Sequence, residues 1–152
     1  MSTRGRVPAA SDTGFAFVEH TADIGVRAWG PTPAAAFAAT AHGMYAITLG
    51  KEPAETTGPT IERTVTVSGE TWPDLLVNWL AELLFQFSVE GVVAYEYEFS
   101  ACAPPRCSAT ITGIAIESED QVAGGEIKAV TYHKLKIDVQ PECTTVQVIF
   151  DI

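Results

Sequence analysis

The chain has 152 residues, 47% of them hydrophobic, and its 19 acidic against 9 basic side chains give a formal net charge of −10. A chain of that length fits one domain, which buries about 70% of its unfolded surface and needs no staple. The acidic balance repels a phosphate backbone at long range, and the sequence has no run of Lys or Arg and no aromatic–basic interleaving. Direct nucleic-acid binding is therefore not expected, whereas a basic protein partner or a bound cation suits the sign.

No apolar run approaches the roughly 20 residues that cross a bilayer, so no membrane association is expected. Residues 1–14 carry Arg4, Arg6, Pro8 and Asp12 without an apolar h-region, and read as a flexible N-terminal tail ahead of a single folded unit, residues 15–152. Cys102, Cys107 and Cys143 are an odd number. Cys102 and Cys107 flank Pro104–Pro105 and could approach across a hairpin, with a disulfide possible, but unpaired thiols in a reducing cytoplasm are the expectation.

In chain order, residues 15–19 and 24–29 read as short strands. Gly30-Pro31-Thr32-Pro33 turns into an Ala-rich helix capped by Thr32, with Phe37, Ala41, Met44, Tyr45 and Leu49 on its apolar side. Residues 50–60 read as a loop. Residues 61–68 alternate, with Ile61, Val65 and Val67 in one row and Arg63 as the odd charge within it. Thr71 caps the clearest helix, where Leu75, Leu76, Trp79, Leu80, Leu83, Leu84 and Phe87 form a broad stripe, Asp74 suits the dipole, and Gly91 ends the segment. Strands follow over residues 92–101 and 107–117, then a polar turn through Asp120 and Gly124–Gly125. A long strand over residues 127–139 and a last one over 144–152 complete the chain. The order β-β-α-β-α-β-β-β-β implies an α+β domain, antiparallel or mixed sheets with two helices packed on them. The strand–helix–strand pattern recurs on either side of residue 60.

The functional lead is carboxylates at distant points of the chain. Asp23 sits in His20-Thr-Ala-Asp23-Ile-Gly25, and Asp151 stands next to Ile152. If the first and last strands are neighbours, Asp23, Asp151 and the carboxylate at Ile152 gather at one point. Two carboxylates about 4 Å apart repel by roughly 4 kcal/mol at an effective dielectric near 20, and a hard cation with oxygen ligands relieves this. Taken singly, Asp23 also suits a turn former and Asp151 a solvated strand end. By alternation Asp151 points away from the row Val146, Val148, Phe150. His133 shares a row with Leu135, Ile137 and Val139 and suits a hydrogen-bonded histidine at the edge of the core. Lys128 suits a snorkelling edge residue or a cationic contact for a phosphate or a carboxylate, and His20 an anchor for its turn or an acid–base group. His42 reads as structural. No Gly-Xaa-Ser-Xaa-Gly elbow occurs, and Gly124–Gly125 lacks the Lys-Ser/Thr of a phosphate loop.

Four stretches together resemble the archease family: His20-Thr-Ala-Asp23-Ile-Gly25; the helix with Leu75-Leu76 and Trp79-Leu80-Ala-Glu82-Leu83-Leu84; Lys128-Ala-Val-Thr-Tyr-His133; and Val148-Ile-Phe-Asp151-Ile152. The resemblance covers residues 15–152. It implies an α+β fold of strand–helix–strand–strand modules. It also implies a non-enzymatic role as the cytoplasmic accessory protein of a GTP-dependent RtcB-type RNA ligase, promoting the ligase's guanylation and multiple turnover in tRNA splicing and RNA repair. It further implies a metal site of calcium type, with magnesium or manganese as alternatives, formed by Asp23 and Asp151 with Ile152 contributing. Lys128 is implied as a functional polar residue, with His20 and His133 in partner-facing roles. Two competing classes are a stand-alone enzyme using Lys128, His133 and Asp23 as an acid–base set, and a metal-independent chaperone or scaffold for RNA-processing enzymes.

Overall fold

The computed structural model describes residues 13–20, 23–117 and 122–152, with the backbone alone for residues 19 and 20. Most of the expected N-terminal tail and the turn at Asp120 lie outside these residues. The elements run β1 (Gly14–His20), β2 (Asp23–Gly30), α1 (Pro33–Leu49), a 3-10 turn (Pro53–Glu55), β3 (Thr60–Ser68), α2 (Trp72–Glu90), β4 (Val92–Ala103), β5 (Arg106–Ala115), β6 (Ala129–Val130), β7 (Lys136–Gln140) and β8 (Cys143–Asp151). Gly14, assigned above to the tail, opens β1.

Both helices start and stop where local chemistry dictates. The Thr32 and Thr71 hydroxyls accept from the main-chain N–H of Ala35 (3.1 Å) and Asp74 (3.2 Å), and a proline sits in each first turn. Gly50 and Gly91 close the helices at φ 73° and 69°, a left-handed conformation that only glycine adopts without penalty. Their N–H groups donate to Ala46 O and Phe87 O.

The strands form two sheets. The larger runs β1-β2-β8-β6, with β7 also on β8, and the smaller runs β3-β5-β4. Every pairing is antiparallel. The helices touch both sheets: α1 packs on β1, β2 and β8 and also on β4, while α2 packs on β3, β4 and β5 and also on β6 and β7. The core lies at this junction. The α2 stripe is buried from Leu75 to Leu84, and the Trp79 indole meets Tyr97 and Phe99 with ring centroids 6.1 and 5.1 Å away. The same indole N–H donates to Phe37 O (3.1 Å), tying α2 to α1. Arg63, the odd charge of β3, makes a two-pronged pair with Glu90 at the end of α2 (2.5 and 3.0 Å). Cys102 and Cys107 face each other across the β4–β5 hairpin as free thiols.

The long strand expected over residues 127–139 is broken. Val130 pairs with Phe150 and Lys136 with Gln147, so six steps of chain oppose three on β8. The surplus forms a bulge in which Lys134 takes φ 53° and Leu135 N–H donates back to Tyr132 O (3.1 Å). His133 accordingly leaves the apolar row to which alternation assigned it and is exposed in the bulge. The bulge is pinned by Thr131, whose hydroxyl donates to Ile149 O (2.8 Å), and by Tyr132, whose hydroxyl donates to Asp74 at the start of α2 (2.7 Å).

Within the larger sheet β2 and β8 keep an unbroken register from Ile24↔Phe150 to Gly30↔Thr144. Gly25 permits it. A Cβ there would run into the carbonyl oxygen of Val148 and lie 2.7 Å from Cδ1 of Ile149, whose side chain covers the glycine. Gly25→Ala is therefore expected to destabilise the fold by roughly 1–3 kcal/mol through overpacking, read as a lowered melting temperature. Thr71→Ala, which removes only a cap, should lower stability by about 1 kcal/mol.

Candidate functional site

The β2–β8 register determines where the acids meet. The paired register ends at Ile24↔Phe150, and continued by one residue it sets Asp23, the first residue of β2, opposite Asp151, the last of β8. Directly opposed residues in an antiparallel pair have Cα atoms about 4.5–5.5 Å apart and project from the same face. The neighbouring strands extend this position into a row. His20 of β1 pairs with Asp23, and Ala129 of β6 pairs with Asp151. His20, Asp23, Asp151 and Ala129 thus occupy one line across the end of the sheet. The contact between chain ends is made by the second strand and the last, with β1 outside β2, whereas the sequence suggested the first strand itself.

Lys128 precedes Ala129, and its N–H donates to Asp151 O (2.7 Å), which holds it beside the acid pair with its side chain exposed. Asp151 is exposed and Asp23 half-buried. As alternation suggested, Asp151 shares a row with Ile149 and Gln147, away from the core residues Val146, Val148 and Phe150. That outer row is itself well covered: Ile149 lies over Gly25, and Gln147 accepts from Arg27 Nη2 (2.9 Å) while donating to Lys134 O (3.0 Å). His133, in the bulge, is not on the line of acids; its N–H donates to Thr131 Oγ1 (3.2 Å). Thr131 was not singled out from the sequence, although it stands in the run Lys128 to His133. Its hydroxyl, bonded to Ile149 O, gives the strand beside Asp151 its shape.

The donor set is two carboxylates, with no sulfur and no described imidazole among them, which matches a hard cation. Among the described residues no three His, Cys, Asp or Glu side chains converge on a point. The arrangement fits a divalent cation as an open two-carboxylate site, with water or a partner's groups completing the coordination that calcium takes from six to eight oxygens. Among the described residues no helix is long and apolar enough to cross a membrane.

Comparison with known proteins gives the family and the fold. A profile of the archease protein family matches residues 15–152. The archease of Pyrococcus abyssi is 33% identical over 127 residues, spanning 82% of this chain and 87% of that protein. Among solved structures, a Methanobacterium thermoautotrophicum protein determined in solution superposes with a TM-score of 0.73 at 28% identity, over 91% of this chain and 99% of the other. A Thermotoga maritima archease, described as a possible chaperone, shares the fold with a TM-score of 0.61 at 22% identity, over 89% and 94% of the two chains. The chain belongs to the archease family.

Proposed function

We propose that this archease holds a divalent cation, calcium first and magnesium or manganese as alternatives, between Asp23 and Asp151. With it the protein docks on an RtcB-type RNA ligase and promotes the ligase's guanylation and repeated turnover in tRNA splicing or RNA repair, in the cytoplasm. The observation that carries the reading is the register that faces Asp23 with Asp151 at the end of the larger sheet. The cation, when bound, supplies positive charge between the two acids. The chain's own residues bind and orient. Asp23 and Asp151 hold the charge, Ile152 contributes beside them, and Lys128 is fixed next to Asp151 by its main-chain bond. Lys128, His20 and His133 are then the candidates for polar contacts with the ligase. The archease itself breaks no bond in this scheme and touches no RNA.

A second reading stands on one observation: among the described residues no three His, Cys, Asp or Glu side chains converge, which is fewer than a closed calcium cage uses. On that reading the protein is a metal-independent chaperone or scaffold for RNA-processing enzymes.

Two measurements test the proposal. In RNA ligation with limiting ligase, Asp151→Ala is expected to reduce multiple turnover at least about 10-fold, the scale of effect seen when a group supporting a metal site is lost. Equal turnover with the wild type removes the acid pair from the mechanism. In calcium titration by calorimetry the wild type is expected to bind and Asp151→Ala to bind far more weakly; no heat up to millimolar calcium favours the scaffold reading.

A further inference from the structure

Three free thiols lie outside the acid row: Cys102, Cys107 and Cys143. Two of them are partners by register. β4 and β5 turn through Pro104 and Pro105, Ala103 pairs with Arg106, and the next pair is Cys102↔Cys107. Opposed residues of an antiparallel ladder have Cα atoms about 4.5 or 5.5 Å apart, according to the kind of pair, and both values fall within the roughly 4.4–6.8 Å that a disulfide spans. Their side chains leave the same face of the sheet. The thiols already meet: Cys107 lies within hydrogen-bonding reach of Cys102 and, together with burial, pushes the Cys102 thiol well above its usual pKa. Access differs between the two. Cys107 has no exposed surface and sits opposite Val67 of β3, whereas Cys102 is half-buried. Cys143 belongs to the other sheet, where its partner is Gln140.

We propose that Cys102 and Cys107 form a reversible thiol–disulfide site, oxidised by a small-molecule disulfide and restored by a reducing thiol. Cys102 meets the reagent, because it is the partly exposed member of the pair. Its thiolate attacks one sulfur of the reagent, the reagent's S–S bond breaks, one reduced thiol leaves, and a mixed disulfide remains on Cys102. The Cys107 thiolate then attacks the Cys102 sulfur and releases the second reduced thiol. The pair gives up two electrons and two protons, and the two released thiols carry them away. The first step is slow, since Cys102 is held protonated; the second is fast, since Cys107 already touches its target. The bond fastens the tip of the smaller sheet, where Pro105 O accepts from Gly69 N–H ahead of α2 (3.0 Å). The inference is independent of the ligase partnership and of the acid pair.

The test is incubation of the reduced full-length chain with millimolar oxidised glutathione, followed by tryptic mapping of the denatured product by mass spectrometry. Trypsin cuts after Arg106, between the two cysteines, so peptides 64–106 and 107–128 stay together only when the bond has formed. Cys143 leaves separately in peptide 137–152 and does not disturb the reading. The expected result is linkage of the first two peptides and a melting temperature raised by roughly 3–8 °C, both reversed by dithiothreitol. Cys107→Ser is expected to stop at a glutathione adduct on Cys102, and Cys102→Ser to gain no adduct on the buried Cys107. Circular dichroism melting of each reduced variant separates lost chemistry from lost folding, and Cys102→Ser carries the test if Cys107→Ser does not fold. Unlinked peptides in the wild type, a lasting glutathione adduct on its Cys102, or linkage through Cys143 overturns the site. A glutathione adduct on Cys107 in folded Cys102→Ser overturns the assignment of Cys102 as the thiol attacked first.

Discussion

The pairing of β2 with β8 is the constraint on which the rest of the molecule depends. It joins segments more than a hundred residues apart and, among the described residues, is the link through which Asp23 and Asp151 share an end of the sheet. Its register is strongly specified because one face is buried. Val26 and Ala28 on β2 and Val146, Val148 and Phe150 on β8 all belong to the core, and a slip of one residue would turn that set outward. The opposite face adds a second lock, with Ile149 laid over Gly25 and Arg27 bonded to Gln147. Placing the acids needs no special contact between them; it follows from where the apolar residues of two strands have to go.

The helices convert this sheet into a closed molecule. α1 is buried on nearly every side, because one face rests on β1, β2 and β8 and another meets β4. A helix held between two sheets loses the one-sided burial that marks a surface helix: beyond the apolar side legible in the sequence, Ala36, Ala39 and Ile47 are buried as well. α2 keeps an exposed side and so keeps a clear stripe. The Trp79–Phe37 hydrogen bond and the aromatic contacts of Trp79 with β4 couple the two halves. Tyr132 extends the coupling to the site, since its bond to Asp74 ties the bulge beside β8 to the first turn of α2.

What the sequence made legible divides along the range of the interactions. Both helices could be read to within a residue or two, because caps, prolines and terminal glycines act within a few residues. The inward row of β3 was legible, but the partner of Arg63 was not, because Glu90 comes from another element 27 residues away. The bulge between β6 and β7 left no mark: residues 129–139 carry no glycine or proline, and the left-handed residue is Lys134. Alternation therefore ran on through it and placed His133 on a core row that does not exist there. The acid pair was legible as a possibility because both aspartates lie at strand ends. Its line across four strands, with His20 and Ala129 at the flanks, needed the register.

Two opposed carboxylates at the end of a sheet are an electrostatic burden on the fold. At an effective dielectric near 20 two carboxylates 4 Å apart repel by roughly 4 kcal/mol, and water around the exposed Asp151 screens this pair well below that figure. The remainder of the chain gives little local relief, because the net charge is −10 and Lys128 is the cation that the main chain fixes beside the pair. Any positive charge brought to this end of the sheet, whether a divalent ion or the guanidinium of a partner, therefore gains from the repulsion it removes as well as from the attraction it makes. On the proposed reading, the site binds in part by relieving the repulsion between its own acids. Its strength should fall as salt screens the acids, most steeply for an exposed contact and least for a group that displaces the water between them.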